Sequence, residues 1–466
     1  MSEYKVTIIG GGPGGYETAI RLNQYGIECL LIEEERIGGV CLNRGCIPTK
    51  ALVKSAELYY EMGSASNYGL PSCKPELDYT QVFNRKNTIV EQLVNGIELI
   101  FHKRNIPILK DRAIAISFDN DKYLIQTAKG IQIETQYVVI ATGSLPKSLP
   151  DIALDEVNIL SSTGILNLST LPETLAIIGG GVIGCEFASI MNSFGVKTSI
   201  IEFLPHILPT EDEEISKRLT VALKKLGIKI YTSTAVENIK EVGQEQQLTL
   251  SNGSTLTVDK VLLSVGRIPN CNLDWNQIEL KTEHNAIVID DFMRTNLNHI
   301  YAIGDVTGKL ALAHTASKQG EIAAAHIASE ILNIPYNHPP LNYTNIPRCT
   351  FTNPEVASVG YTEEEAHKRF GELKIGKFPF SANGKAMAMS STYGMVKTIA
   401  RASNSEIIGM HIIGANATEL IAQGVVLISL GAKLDVIDYI TFAHPTLSET
   451  IKESLEDLNN LSIHKI

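Results

Sequence analysis

The chain has 466 residues, more than one ordinary hydrophobic core organises, so two to four domains are expected. Apolar residues make up 44% and charged residues 20%, the balance of a globular chain, and the longest C-terminal apolar run, GVVLISLGA, is too short to cross a bilayer. A formal net charge of −11 argues against general nucleic-acid binding, which needs basic surface to displace counterions. The N-terminus, MSEYKVTIIGGG, enters a strand pattern at once, with no basic region, apolar core and cleavage site, so a cytoplasmic location is expected.

Residues 4–37 read as strand, glycine turn, helix and strand. YKVTIIGGGPGG places Gly10, Gly12 and Gly15 in the G-x-G-x-x-G order, and IECLLIE ends a buried strand at Glu33. The first glycine permits a tight turn, the second lets a pyrophosphate approach the backbone, and the third lets helix and strand pack closely. An acid at the end of the second strand suits ribose hydroxyls.

Next comes GGVCLNRGCIPTKAL, residues 38–52. The chain's seven cysteines (Cys29, Cys41, Cys46, Cys73, Cys185, Cys271, Cys349) are scattered and odd in number, unlike a disulfide-stapled secreted domain. The close pair, Cys41 and Cys46, therefore points to chemistry rather than architecture. A metal site has little local support, because no histidine or further cysteine lies nearby. Two inert core thiols are a fair reading, weakened by the surrounding glycines, Arg44 and Lys50. A disulfide meets a geometric objection: on a regular helix this spacing puts the Cα atoms about 8.7 Å apart, beyond the usual ~6.8 Å limit. If the two bond, the helix must be distorted, and Gly45 and Pro48 are residue types that permit it. Lys50 lies four residues beyond Cys46 and shares its helical face.

IETQYVVIATGS is a strand running into a glycine turn at Thr142 and Gly143. Residues 174–202 then repeat the first pattern, with Gly179, Gly181, Gly184 and a strand ending at Glu202. In each copy the acid stands 23 positions beyond the first glycine, so two bound dinucleotides are expected. Glu186, on the second fingerprint helix, suits either a buried lysine or a solvated surface. The acidic run TEDEE, 210–214, reads as a solvated helix start with Thr210 and Glu213 as a capping box. DKVLLSVGRIPN and HIYAIGDVTG are further strand–turn segments, the second ending in Asp305, which suits a helix cap as well as a ligand contact. ALAHTASKQGEIAAAHIASEIL reads as a long helix. From NYTNIPRC onward, short strands alternate with helices and no third fingerprint occurs, which describes a separate α+β domain. Within it, FAHPTLSETIKESL offers His444 and Glu449. Thr446 and Glu449 make a capping box that leaves His444 incidental, or else His444 is a base held in one tautomer by Glu449.

Taken together, GGVCLNRGCIPTKAL, the doubled fingerprint, YAIGD, FPFSANGKAMAM, HIIGANATELI and HPTLSE resemble the flavin-dependent pyridine nucleotide-disulfide oxidoreductases, essentially end to end. The resemblance implies an α/β fold with two Rossmann-like dinucleotide-binding domains and a C-terminal α+β dimerisation domain. Its divisions are an FAD-binding domain over 1–147, an NAD-binding domain over 148–272, a central segment over 273–343 and the dimerisation domain over 344–466. FAD would take Gly10, Gly12, Gly15, Glu33, Lys50, Ala113, Thr142, Gly143, Asp305 and Ala313, with Lys50 paired to Glu186. The nicotinamide cofactor would take Gly179, Gly181, Gly184, Glu202, Val236, Gly266 and Arg267. Glu202 favours NAD, since a carboxylate repels the phosphate of NADP and EFLPHI lacks arginine.

The implied activity is oxidation of dihydrolipoamide by NAD through a redox-active Cys41–Cys46 disulfide, with His444 of the partner subunit as base and Glu449 orienting it. A homodimer follows, serving the lipoyl domain of a 2-oxo acid dehydrogenase acyltransferase or a glycine cleavage carrier, with no metal, nucleic acid or membrane involved. A glutathione reductase-like activity is the rival within the family, disfavoured by Glu202. A non-catalytic NADH-sensing flavoprotein is the rival outside it, and leaves the cysteine spacing unexplained. The family often has a second histidine where Phe442 stands, a small apolar residue at Arg44 and a glycine at Ala113.

Overall fold

The structure, a computed structural model, describes residues 2–71, 75–150, 152–276 and 278–465; Cys73 lies outside them. They form two compact units, one of Met1–Ala51, Gln81–Lys147 and Gly266–Leu341, the other of Leu52–Thr80, Ser148–Val265 and Asn342–Ile466.

The first unit is organised by β1 (Ser2–Ile9), α1 (Pro13–Gln24), β2 (Cys29–Glu33), α2 (Gly39–Arg44) and the start of α3 (Cys46–Gly63). It continues with α4 (Tyr79–Arg104), β3 (Ile108–Lys110), β4 (Ala113–Asp119), β5 (Lys122–Thr127) and β6 (Gln132–Ile140). Its seven-stranded sheet has the order β3-β2-β1-β6-β5-β4, and strand Ile300–Ala302 also pairs with β6. β1 runs parallel to both neighbours, with Ile8 opposite Leu31 on one side and Val139 on the other. Val6 to Ile9 are all buried, the continuous apolar run of a strand covered on both faces. One face packs Val6, Ile8, Leu31 and Val139 against Leu22 of α1 and Ile322 and Ile327 of helix Ala313–Leu332. The other packs Ile9, Ile32 and Ile140 against Ile116 and Ile125 of the β4–β5 hairpin.

The second unit holds a parallel five-stranded sheet in which Thr174–Ile178 lies between Lys197–Ile201 and Lys260–Leu263. Helix Val182–Ser193 buries Cys185, Phe187, Ala188, Ile190 and Met191, an apolar girth that suits a helix covered on most sides. Residues 348–414 form an antiparallel five-stranded sheet. Its core is closed by Leu420, Ile421 and Leu427 of helix Ala417–Ser429 and by Ile451 and Leu455 of helix Glu449–Asp457.

The acidic run departs from the sequence reading. Helix Glu213–Lys225 is capped by Asp212, which accepts from the Glu214 N–H at 3.1 Å, and not by Thr210. Glu211 and Asp212 are buried rather than solvated. Asp212 holds Lys397 Nζ at 2.7 and 2.9 Å, while Glu211 takes Arg348 Nε at 2.9 Å and the Ser358 hydroxyl. These partners stand on the C-terminal sheet, 137 to 185 residues along the chain, where no local pattern could show them.

Candidate active site

Each glycine fingerprint builds a cradle, and the two are alike in backbone detail. Gly10 and Gly179 both have φ +105°, a conformation that a side chain would strain. Their N–H groups donate to the Ile32 and Ile201 carbonyls at 2.9 and 2.8 Å. A Cβ on Gly15 would lie 1.8 Å from the Gly10 carbonyl oxygen, and one on Gly184 2.0 Å from that of Gly179, so helix and strand touch there. Gly12 and Gly181 differ: a Cβ on Gly12 meets only Gly39 Cα at 4.0 Å, and one on Gly181 meets nothing within 4 Å. Both are helix N-caps, and neither helix has a side-chain cap, so the first-turn N–H groups face open space. Backbone donors, a dipole and room for an anion together fit a dinucleotide pyrophosphate at each turn.

The acids close each cradle in the same way. Glu33 accepts from Gly11 N–H at 2.6 Å and Glu35 N–H at 2.8 Å. Glu202 accepts from Gly180 N–H at 2.5 Å and Leu204 N–H at 2.7 Å. Each carboxylate is thereby fixed at its strand end with lone pairs remaining for ribose hydroxyls. Burial raises the Glu33 carboxyl above its usual range, and the two N–H bonds pull back only part of that shift.

The cysteine segment grows from the first cradle. Gly38 N–H donates to the Gly11 carbonyl at 2.8 Å, and a Cβ on Gly39 would lie 2.6 Å from Gly12 Cα. Cys41 lies in α2, which ends at Arg44; Gly45 follows with φ −147° and ψ −110°, and Cys46 opens α3. The helix is therefore broken between the two cysteines, the distortion that a bond between them would require. A Cβ on Gly45 would press to 2.9 Å from the Val40 carbonyl oxygen and 3.3 Å from Cys41 Cα, so the close return depends on glycine. Pro48 occupies the first turn of α3, where its missing N–H costs no helical bond. Both sulfurs are thiols, and a hydrogen bond joins them. That bond, with burial, pushes the Cys41 thiol far above its ordinary range, while Lys50 on the next turn of α3 pulls it partly back.

Thr142, Gly143 and Ser144 are zipped to residues 267–270. Thr142 donates to the Asn270 carbonyl at 2.6 Å, and Asn270 N–H returns a bond to Gly143 at 2.9 Å. Asp305 lies in the turn Gly304–Thr307 and does not cap it: its carboxylate accepts from Ser144 Oγ at 2.5 Å and stands 3.9 Å from Arg267 Nε. Arg267 itself donates to Ser144 Oγ at 2.7 Å and Ser144 O at 2.6 Å. The structure thus brings Arg267 to Asp305, with Gly266 just before the short strand Arg267–Pro269, while Val236 opens a meander in the other unit. Ala113 opens β4, buried, and Ala313 is the first residue of its helix, which also lacks a side-chain cap. Glu186 is buried and accepts from Phe351 N–H at 3.0 Å, which removes the solvated-surface alternative.

In the second unit His444 is largely exposed, and its Nδ1 meets Glu449 Oε1 at 2.9 Å. The other oxygen, Oε2, accepts from Thr446 N–H at 2.9 Å. Half of the capping box is present: the Thr446 hydroxyl turns to the Ala443 carbonyl, and helix Glu449–Asp457 starts after Ser448. Burial works against the Glu449 charge, yet the bonds from Thr446 and His444 hold its carboxyl below the usual range.

A family model for the pyridine nucleotide-disulphide oxidoreductases matches residues 4–320, and one for their dimerisation domain matches residues 346–455. The chain belongs to the pyridine nucleotide-disulphide oxidoreductase family. Dihydrolipoyl dehydrogenases of Zymomonas mobilis and Bacillus subtilis are each 38% identical to it, over 99% of both chains. The mitochondrial dihydrolipoyl dehydrogenase of Pisum sativum is 37% identical over 99% of this chain and 93% of its own. Among solved structures, LpdA of Mycobacterium tuberculosis superposes with a TM-score of 0.89 at 25% identity, covering 98% of this chain and 100% of that one. The flavoprotein disulfide reductase RclA of Escherichia coli gives 0.85 at 28% identity, covering 97% and 99%. Dihydrolipoyl dehydrogenases of this family use FAD and NAD, and the dimerisation segment makes the family's enzymes homodimers.

Several residues at this oxidoreductase site escaped the sequence reading. Ser144 links Asp305 to Arg267, and Gln319, fully buried, accepts the Gly304 N–H at 2.6 Å and so holds the turn carrying Asp305. Asn43 donates to the Gly39 and Ile37 carbonyls at 3.0 and 3.1 Å, fastening α2 to its own entry. Asn43 stood between the cysteines and carried a signal, being a small amide in a short helix; Gln319 carried none.

Proposed function

We propose that the chain is a dihydrolipoyl dehydrogenase, oxidising carrier-bound dihydrolipoamide to lipoamide while NAD becomes NADH. The observation that carries this reading is the hydrogen-bonded Cys41–Cys46 pair across the Gly45 break, rooted on the first glycine cradle. FAD would lie along Gly10, Gly12, Gly15 and Glu33, with Ala113, Thr142, Gly143, Asp305 and Ala313 completing its site and Lys50, paired to Glu186, near its ring. NAD would use Gly179, Gly181, Gly184 and Glu202, helped by Val236, Gly266 and Arg267. The corresponding divisions are 1–147 for FAD, 148–272 for NAD, 273–343 as the central segment and 344–466 for dimerisation.

His444 of the partner subunit, with Glu449 fixing its Nδ1, takes a proton from one substrate thiol. The resulting thiolate attacks Cys41 of the oxidised pair, and the Cys41–Cys46 bond breaks with Cys46 leaving as a thiolate near Lys50. The second substrate thiol then attacks the first sulfur, closing lipoamide and releasing Cys41, which takes that second thiol's proton, while the first proton stays on His444 until it passes to solvent. A Cys41 thiol that donates to Cys46 and resists ionisation suits this order, since the electron pair is left on Cys46. FAD, held by the residues named above, would supply the two-electron acceptor for that pair and the hydride chemistry towards NAD. The substrate is carried on the lipoyl domain of a 2-oxo acid dehydrogenase acyltransferase or a glycine cleavage carrier. Among the described residues no helix is long and apolar enough to cross a membrane, and cytoplasmic residence belongs to the same proposal.

The test is turnover of the flavin-loaded protein with dihydrolipoamide and NAD beside glutathione disulfide and NADPH. NAD reduction by dihydrolipoamide is expected. Preference for the glutathione pair would mark a glutathione reductase-like enzyme, and dinucleotide binding with no dithiol turnover would mark a sensor.

A further inference from the structure

The segment that carries the two cysteines is fastened at both ends. At its start, Gly38 and Gly39 lie on Gly11 and Gly12 of the fingerprint turn. At its end, Arg44 reaches back to form an ion pair with Glu35. Glu35 is the residue whose N–H holds Glu33 Oε1 at 2.8 Å, so the pair is anchored beside the acid expected on the adenosine ribose. From the other direction Arg44 lies close enough to Arg267 to oppose its charge, and Arg267 stands beside Asp305. Arg44 thus ties the far end of the loop that packs on Gly11 and Gly12 back to the residue two positions beyond Glu33. The neighbouring Arg36 is different, for its side chain pairs with Glu91 of α4 at 2.6 Å.

We propose that the Arg44–Glu35 ion pair is a strap across the first dinucleotide cleft that slows release of bound FAD. In this proposal a dinucleotide held between Glu33 and Asp305 leaves when the loop between β2 and α3, which packs on Gly11 and Gly12, lifts away. Gly38 and Gly39, with φ +97° and +56°, pack on the fingerprint turn and Gly45 packs on Val40 and Cys41, so closely packed glycines bound the loop at both ends. The ion pair is the side-chain contact that resists this lifting from the β2 side. The side chains are 35% and 51% exposed, so water and salt reach the pair and its contribution is that of a partly screened contact.

The inference rests on the FAD reading above, and one experiment separates the two. FAD release from the loaded protein is followed by the rise in free-flavin fluorescence after large dilution, which prevents rebinding. Arg44→Val and Glu35→Gln are each expected to speed release about two- to fivefold, and the double variant no more than either alone. Molar salt should shrink the difference from the unaltered protein, and Arg36→Ala should leave release unchanged. Should Arg44→Val fail to fold, Arg44→Gln serves in its place, with the apoprotein's thermal melt as the check. Unchanged release from a flavin-loaded variant overturns the strap alone. Faster release in Arg44→Val with slower release in Glu35→Gln also overturns it, because Arg44 would then act on the cofactor directly. A protein that binds no flavin at all overturns the FAD reading and the strap together.

Discussion

Glu449 divides its two oxygens between two tasks, one to the Thr446 N–H and one to the His444 ring. The first is ordinary helix-end chemistry; the second fixes which imidazole nitrogen carries the proton. Because the same carboxylate serves both, replacing it should affect orientation more than folding. Glu449→Gln keeps an acceptor for Thr446 but loses the charge that steadies a protonated His444. Turnover with dihydrolipoamide is expected to fall about ten- to a hundredfold, while the thermal midpoint moves by no more than a few degrees. Unchanged turnover would show that His444 is not the base. The Glu449 carboxyl has a depressed folded value, so its stabilising contribution is complete above the unfolded value near ~4.3 and is lost as pH falls through the folded one. Gly45 illustrates the same economy at the cysteines, since a single missing Cβ lets Val40 and Cys41 close on the residue before Cys46.

The start of helix Glu213–Lys225 shows how far an element's meaning exceeds its own sequence. Asp212 caps that helix and, in the same position, meets Lys397 of strand Met395–Arg401 in the C-terminal sheet. Burial disfavours the Lys397 charge, but Asp212 and Glu363, the latter at 2.7 Å, outweigh it and hold the ammonium above its usual value. For Asp212 too burial is the largest influence and opposes ionisation, and His411 and Lys397 overcome it to lower the carboxyl. The signs are complementary. The Lys397 contribution is present below the unfolded lysine value near ~10.4 and fades as pH rises through its raised folded value. The Asp212 contribution is present above ~3.9 and fades as pH falls through its lowered one. Lys397→Met strands the buried carboxylate and should cost about 3–5 kcal/mol in urea unfolding at neutral pH, with the loss shrinking towards pH 3. A pH-independent loss would mean that packing, not charge, holds these elements together. The fingerprints, the helix break and the T-x-x-E were legible in the sequence because each is complete within a few turns of chain. Asp212–Lys397, Glu211–Arg348 and Gln319–Gly304 were not, because the fold alone supplies the second partner.

At the scale of the whole molecule the family's dimer gives the exposed apolar residues of the last domain a purpose. Within residues 346–455, Leu430 is 79% exposed and Tyr439 87%, and Val426 on helix Ala417–Ser429 is 57% exposed. A contact between subunits through this domain would cover such side chains and remove their apolar area from water. His444, in the same domain, is 78% exposed and already oriented by Glu449, which suits its proposed role as base for a substrate that its own surroundings do not enclose. If the partner subunit completes each site, turnover must depend on association even where flavin binding does not. Leu430→Asp combined with Tyr439→Asp should therefore shift sedimentation towards the monomer and remove most dihydrolipoamide turnover, with flavin content retained. Raising the protein concentration should recover activity in step with the dimer fraction, because association is the step that was weakened. A monomeric variant with full turnover would place His444 outside the reaction, and a dimeric one would move the interface elsewhere on the domain.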